Sequence, residues 1–397
     1  MALPLDELAK RLDRLRAQTG AASGPCPDAV AEEPAVFDLG SLRRAQERRD
    51  ARRHAAAEAL PGEEIARGVR RVRSVVAAPS NQHPAPDWEV EPLNDRSPVY
   101  IDTETTGLAG GSGTLVFLIG LAQRAGDALE LQQFLLCAPT AEQEFLAVVS
   151  AALPPSALLV SFNGRSFDLP LLAARYRLAR LPDPFARRPH WDLMHPLRRA
   201  FARRWSDCRL QSAERRLLGI ERCDDLPGAF APQAYTQFLR FGATELLQRL
   251  LAHHRQDVAS LPLLLDALLR VHAAPSAFDA DAVAMARALE RLGRSAAAER
   301  LLRAAHGDDG ATLALGRQLR RARRWSEAEG VLARLAHGTG ADSTALEQLA
   351  MIAEHVRGDF VSARSYCLTL VGREPDAARH RRRLARLERR LARIRAD

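Results

Sequence analysis

Asp102 and Glu104 stand two apart in the run Val99-Tyr-Ile-Asp-Thr-Glu-Thr-Thr-Gly107. Val99, Tyr100, Ile101 and Thr103 favour a strand, and Gly107 marks where it must stop or turn. Alternate side chains of a strand share a face, so the two carboxylates leave on one side, near enough to hold a cation between them. Two acids side by side repel, and a hard divalent ion with oxygen ligands, Mg2+ or Mn2+, is the usual reason for such a pair. The bare tripeptide has a plainer reading, a strand end capped by solvated acids. A second Asp-x-Glu, Asp87-Trp88-Glu89, lies in a proline-rich stretch with no strand before it. What sets the first one apart is the whole run, together with two further acids on predicted helices downstream.

The first of those is Asp168. Ala157 to Phe162 is almost continuously apolar, the pattern of a buried central strand. It ends at Asn163-Gly164, and a helix is predicted from about Ser166 with Asp168 in its first turn. Asp168 has an equally good reading as a helix cap, since an acid there is stabilising by about 1 kcal/mol. The second is Asp257, on a long helix predicted from Thr244 to Leu261 with Leu247, Leu250, Leu251, Val258 and Leu261 as its core stripe and a kink at Pro262. His253 and Asp257, four apart, share a face flanking that stripe. Such pairs are more often on the surface than catalytic, and His254, nearer the stripe, reads most simply as a partly buried, satisfied histidine.

The elements that must position these residues follow in order. Thr114 to Gln123 and Leu129 to Leu136, separated by Ala125-Gly-Asp127, predict a hairpin after the first strand. Gly110-Gly-Ser-Gly113 is not a phosphate loop, because no Gly-Lys-Ser/Thr follows and the next element reads as strand. Glu142 to Leu153 predicts a helix with Phe145, Leu146 and Val149 inward. Ahead of the opening strand come an amphipathic helix over Pro4 to Gln18, a linker from Gly20 to Pro34, a basic helix over Ser41 to Ala59, an edge strand within Ile65 to Val76, and a proline-rich connector to Ser97. The folded catalytic domain is expected to start between Gly62 and Pro98.

The chain has 397 residues, 47% of them apolar, enough for two or three domains with real cores. Its five cysteines are scattered, with no Cys-x-x-Cys, which argues against a disulfide framework or zinc site and fits a reducing compartment. Asp6, Glu7 and Lys10 fall where a secretory core needs an apolar run, and no stretch is long and apolar enough to span a membrane, so a cytoplasmic protein is expected. Net charge is +8 and Lys10 is the only lysine. Arginine forks onto phosphate oxygens, so the balance favours a polyanionic partner, although genome composition also produces arginine-for-lysine bias. Between Phe185 and Arg216, nine arginines (Arg187, Arg188, Arg198, Arg199, Arg203, Arg204, Arg209, Arg215, Arg216) with Trp191 and Trp205 interleaved suit single-stranded nucleic acid. The alternative is a solvated helix face with the tryptophans in the core.

Taken together, the order resembles the DEDD (DnaQ-like) 3'-to-5' exonuclease superfamily, and more closely the YprB-like ribonuclease H-like domain proteins. The first motif is Asp102-Thr-Glu-Thr-Thr-Gly-Leu-x-Gly-Gly-x-Gly-Thr114 with Phe117-Leu-Ile-Gly120, and the second is Ser161-Phe-Asn-Gly-x-Ser-Phe-Asp168. Asp192-Leu-x-His-Pro196, Leu218-Gly219, Asp224-Asp-Leu-Pro-Gly228 and Pro232-x-x-Tyr235 match the segment that follows. The likeness runs from about Val99 to Val271. It implies an α/β ribonuclease H-like domain with a mixed central sheet flanked by helices, over residues 95–272, after an N-terminal extension, partly helical or disordered, over 1–80. It also implies that Asp102, Glu104, Asp168 and Asp257 hold two divalent cations, Mg2+ or Mn2+. Asp102 would bridge both, Glu104 and Asp257 would complete the first position, and Asp168 would anchor the second. His253, with an ordinary pKa near neutrality, would orient or deprotonate the attacking water. Relatives place a Tyr four or a His five residues before the last acid, whereas here those positions hold His253 and Ala252. The resemblance places Thr105, Asn163, Arg165 and His254 at the substrate, with structural support an equal reading for Asn163.

Beyond Asp279 no strand pattern remains. Ala298, Ala328 and Ala363 recur at spacings of 30 and 35 residues, a helix-turn-helix period resembling tetratricopeptide repeats. An all-α helical-repeat domain is expected over 278–397, closed by a basic helix with Leu384, Leu387, Leu391 and Ile394 inward. Such repeats usually bind another protein, though the Arg379 to Arg395 face suits nucleic acid equally. The function expected is a metal-dependent nuclease acting on DNA or RNA, most simply a 3'-to-5' exonuclease. Its rival is a non-catalytic binding scaffold on the same fold.

Overall fold

A computed structural model describes residues 39–77, 88, 97–107, 113–223, 225–305, 307–336 and 342–395. The helix read over Pro4 to Gln18, the linker from Gly20 to Pro34, most of the proline-rich connector and the glycine cluster before Gly113 lie outside them. The first described element is helix α1, Leu39–Glu58, and residues 51–397 form one compact body.

Seven strands make one sheet in the order β1-β2-β5-β4-β3-β6-β7. They are β1 Glu63–Ala66, β2 Val69–Ala77, β3 Pro98–Thr105, β4 Val116–Ala125, β5 Ala128–Leu136, β6 Leu158–Ser161 and β7 His190–Asp192. β3 pairs antiparallel with β4 and parallel with β6, which pairs parallel with β7, so the sheet is mixed. The predicted hairpin is β4–β5, turning at Gly126 with φ 62°.

The sheet begins at Glu63, within the range of Gly62 to Pro98 expected for the start of the folded domain. Ile65 to Val76, read as one edge strand, is most of a second hairpin that turns at Gly68 (φ 72°). β2 is an inner strand bonded to β5 along nine residue pairs, and the edge is β1. Arg71, paired in register with Glu63, donates to its carboxylate at 2.6 Å. The alternation of arginine with valine thus reflects cross-strand pairing, the local unit of sheet stabilisation.

Period-two alternation on β3 sends Val99 and Ile101 to one core, and Tyr100 to the other. Helices α2 (Glu142–Ala152), α3 (Asp168–Leu178) and, further on, α6 (Ala231–Phe241) bury their apolar faces in the Ile101 core. The Tyr100 core is covered by α4 (Met194–Phe201) and by the second half of α7 (Glu245–Ala273), a helix that runs on through Pro262 for 29 residues. A short helix α5, Leu210–Ala213, leads into a wide turn of helix from Glu214 to Leu218.

After α7 the chain is all helical: α8 Ala282–Arg291, α9 Ser295–Ala304, α10 Asp309–Arg321, α11 Trp325–Ala336, α12 Ser343–Ile352, α13 Phe360–Arg373 and α14 Ala378–Ile394. Ala298, Ala328 and Ala363 are each the fourth residue of α9, α11 and α13 and are fully buried. Only a methyl fits where successive helices approach this closely. Asp281, Asp308, Asp342 and Asp359 cap α8, α10, α12 and α13, each accepting from the amide three residues on. In α14 Leu387 is buried as expected, but Ile394, expected inward, is 56% exposed. The described cysteines are all free, and no helix among the described residues is long and apolar enough to cross a membrane.

Candidate metal centre

Asp102 and Glu104 leave β3 on the Tyr100 face, opposite Gly120 and Leu118 of β4. The register shifts between Glu104 and Thr105, and the strand ends with Thr105 paired to Val116. Gly120 is what lets α7 reach the pair: a Cβ on it would stand 2.5 Å from Val258 and 2.6 Å from the His254 ring. With the helix seated this close, the His254 Nε2 lies 3.2 Å from the Asp102 backbone oxygen, and its Nδ1 lies 3.0 Å from Gln133 Nε2. His254 is wholly buried, both nitrogens are engaged inside the fold, and burial pushes its pKa down to about 4. It is placed as a satisfied core histidine that ties β3, β5 and α7 together.

The turn after β6 brings in Asp168. Asn163 takes a left-handed conformation, φ 68°, and Gly164 is required because a Cβ would meet Ser161 Oγ at 2.4 Å. The turn is built on Asp192 at the end of β7, which is 1% exposed. Its carboxylate accepts the amides of Asn163 (2.7 Å), Arg165 (3.1 Å) and Met194 (3.1 Å). The Arg165 guanidinium donates to the His190 backbone oxygen, and the Thr105 hydroxyl donates to Gly107 at 2.9 Å. Asp168 opens α3, and its carboxylate receives the Thr103 hydroxyl rather than capping the helix by itself.

Asp257 closes the group from α7. Glu104, His253 and Asp257 each bring one ligand atom within 4.8 Å of the others. His253, 7% exposed, sets Nε2 3.2 Å from Asp257 Oδ2 and Nδ1 2.7 Å from Asp225 Oδ1. The pair read as a surface feature is therefore inside the site. Arg222 donates to Asp257 Oδ1 and to buried Glu214. Gly228 lies at the mouth, where a Cβ would stand 3.5 Å from His253 Nε2 and 3.8 Å from Glu104 Oε1.

Electrostatics bind the four acids into one unit. Burial, then the charges of Asp168, Asp257 and Glu104, push the Asp102 carboxyl well above the usual carboxylate range. Burial, then Asp257, pushes Glu104 up to about 8, and burial raises Asp168 to about 6 against the Thr103 hydrogen bond. Asp257 is the exception. Burial opposes its charge, yet the His253 hydrogen bond and Arg222 hold it below its ordinary value. Burial likewise opposes charge on His253, but the bonds to Asp257 and Asp225 outweigh it and lift the ring to about 9. That departs from the near-neutral value expected, because Asp257 bonds one ring nitrogen and Asp225, 28 residues away, the other. An all-carboxylate donor set that resists ionisation by burial and mutual repulsion is one that divalent cations would neutralise, so the residues present fit the metals expected.

Residues 99–269 match the family model RNase_H_2, described as RNase_H superfamily. This domain is ribonuclease H-like. The uncharacterized protein YprB of Bacillus subtilis (strain 168) is 37% identical over 175 residues, covering 42% of this chain and 41% of YprB. The chain thus matches less than half the length of that relative. Among solved structures, E. coli exonuclease I in complex with a dT13 oligonucleotide is 16% identical over 41% of this chain and 45% of its own, with a TM-score of 0.26. A product-bound exonuclease I is 14% identical over 74% and 98%, with a TM-score of 0.28.

Reading the ribonuclease H-like segment from sequence missed Glu214, Arg222 and the work of Asp192 and Asp225. The last two stood in quoted motifs, Asp192 at the end of a strand and Asp225 beside a Pro-Gly turn. Glu214 and Arg222 gave no such signal. Nor is Trp191 a platform for bases, at 1% exposure. Trp205 is stacked on Phe201 at 4.1 Å, with Arg216 5.2 Å from its ring centroid.

Proposed function

We propose that the domain is a metal-dependent nuclease of the DEDD type that removes nucleotides from the 3' end of single-stranded DNA or RNA. The observation that carries this is the convergence of Asp102, Glu104, Asp168 and Asp257, from one strand and two helices, on a site where burial and then the neighbouring carboxylates raise the pKa of Asp102 and Glu104. A fold maintained only as a scaffold gains nothing from that repulsion. Two Mg2+ or Mn2+ ions would be held by Asp102, Glu104 and Asp257 on one side and by Asp102 and Asp168 on the other, supplying Lewis-acid polarisation of the phosphate and an acidified water. Thr103 and Asp192 keep Asp168 in place, the first by its hydroxyl and the second through the Asn163–Arg165 turn. Asn163 and Arg165 line the rim where a phosphodiester backbone would pass, and Thr105 ends the strand beside it.

His253 orients the attacking water and accepts its proton. A ring held at about 9 is a weak acceptor at neutral pH, so this role requires that the bond from Asp257 Oδ2 to Nε2 weaken when that oxygen takes a cation. The net charge of +8 supports a polyanionic substrate. The helical array, read as tetratricopeptide-like repeats, would recruit a protein partner or the substrate itself.

The test incubates the protein and its Asp102→Ala variant with 5'-labelled single-stranded DNA and RNA in Mn2+, Mg2+ or EDTA. A ladder shortening from the 3' end, dependent on metal and absent in the variant, is the expected result and names the substrate. Intact substrate in every lane, with equal retardation by both proteins on a gel, overturns the reading in favour of a binding scaffold.

A further inference from the structure

Arg222 is the only arginine that the structure places among the acids of the site, within the described residues, and its connections are unlike those of a surface ion pair. Its side chain is 9% exposed. The edge formed by Nε and Nη2 meets Glu214 side-on, at 2.7 and 2.6 Å. Glu214 is itself 1% exposed and takes a further hydrogen bond from the Ser260 hydroxyl, one turn along α7 from Asp257. From this anchor Nη2 reaches Asp257 Oδ1, while Nη1 lies 3.3 Å from Asp225 Oδ2 and 3.1 Å from His253 Nδ1. One guanidinium therefore touches three acids and the histidine, on three separate stretches of chain.

Such a connection fixes direction as well as charge. A carboxylate on α7 can rotate about its side-chain torsions, presenting either oxygen to the sheet. With Oδ1 tied to Arg222, the oxygen left to face His253 and Glu104 is Oδ2. The backbone supports the anchor: Glu214 opens a widened helical turn, a departure from α-helical bonding that is frequent at functional sites, and Gly219 ends it at φ 68°. Burying an acid here is costly unless it is paired, so the chain has spent a buried ion pair on a position that a plain apolar contact could fill.

We propose that Arg222 is a positioning residue: clamped on buried Glu214, it holds Asp257 by one oxygen so that the other is presented as a metal ligand beside Glu104. This rests on the metal-dependent reading above. It needs the planar fork. A lysine keeps the charge but cannot bond Glu214 side-on and reach Asp257 from the same group.

The test measures Mn2+ affinity by titration calorimetry for wild type, Arg222→Lys, Asp257→Asn and the Arg222→Lys/Asp257→Asn double variant. The Glu214→Gln/Arg222→Gln pair is included because it leaves the net charge unchanged and removes Glu214 together with the guanidinium that pairs with it; circular dichroism checks that each is folded. Arg222→Lys and the Gln/Gln pair are expected to weaken Mn2+ binding by about 10- to 100-fold, the usual effect of losing a partner behind a metal ligand. In the Asp257→Asn background Arg222→Lys should cost little more, because its effect passes through Asp257. Wild-type affinity in a folded Arg222→Lys protein, or an equal loss with Asp257 already replaced, overturns the proposal while leaving the nuclease reading standing. A wild-type protein that takes up no Mn2+ overturns both.

Discussion

Replacing Glu104 by Gln should make the metal-free protein more stable, an unusual result for a residue placed at the centre of the site. The side chain ionises near 4.5 in the unfolded chain and at about 8 in the fold, with burial and then the Asp257 charge responsible. Each tenfold change in proton affinity is worth 1.36 kcal/mol, so carrying this carboxylate at pH 8 costs on the order of 4 kcal/mol. A buried amide also loses water contacts, and the neighbouring acids relax, so about half of that is expected as a net gain, about 2 kcal/mol. For a body spanning residues 51–397, with an unfolding entropy of about 2.1 cal/mol/K per residue, that is a rise in Tm of about 3 °C.

The sign with pH follows from the raised folded value. Near pH 4.5 the carboxyl is protonated in the fold and costs nothing. As pH climbs the unfolded chain loses its proton first, so stability falls until about pH 8 and then levels off. The advantage of Glu104→Gln is therefore large at pH 8 and nearly gone at pH 5. The lowered pKa values of His190 and His254 are common to both proteins and largely cancel in the difference. Thermal unfolding followed by circular dichroism in EDTA, at pH 5 and pH 8, measures it, and Mn2+ at pH 8 should raise the Tm of wild type but not of the variant. A variant no more stable than wild type at pH 8, or an advantage undiminished at pH 5, refutes the electrostatic account.

Three other changes probe the scaffold. Gly120→Ala drives a methyl into Val258 and His254 at 2.5 and 2.6 Å, and should cost about 1–3 kcal/mol in urea unfolding while weakening Mn2+ binding, because α7 carries Asp257 outward with it. Asp192→Ala strands three backbone amides, and the same measurement should show a loss of about 2–4 kcal/mol. Ala328→Leu overfills the junction between α11 and its neighbours, where Ala328 is fully buried. It should lower stability by about 1–3 kcal/mol and leave Mn2+ affinity, measured by calorimetry, at the wild-type value.

The parts of this fold legible in the sequence are those written in short-range pattern. The apolar run of β6, the alternation on β3 and the β-rich runs of β4 and β5 depend on neighbours a few residues away, and the all-helical array shows in the alanines recurring at spacings of 30 and 35 residues. β2 was misplaced at the edge because arginine alternating with valine looks solvent-facing until its partners, Glu63 on one side and β5 on the other, are known. The site divides in the same way. Asp102 and Glu104 announce themselves by sharing a strand face, whereas Asp168 reads equally well as a helix cap, and only the fold brings the Thr103 hydroxyl to its carboxylate. The Arg222 clamp had no local sign at all, since Glu214, Arg222 and Asp257 meet only after the turn at Gly219 and the seating of α7 on Gly120. His253 shows the physical limit most plainly. Its residue type predicts titration near neutrality, but its charge is decided by its hydrogen bonds to Asp257 and Asp225. A sequence names the groups that can ionise. The fold decides which of them do, through burial and through partners that no spacing rule connects.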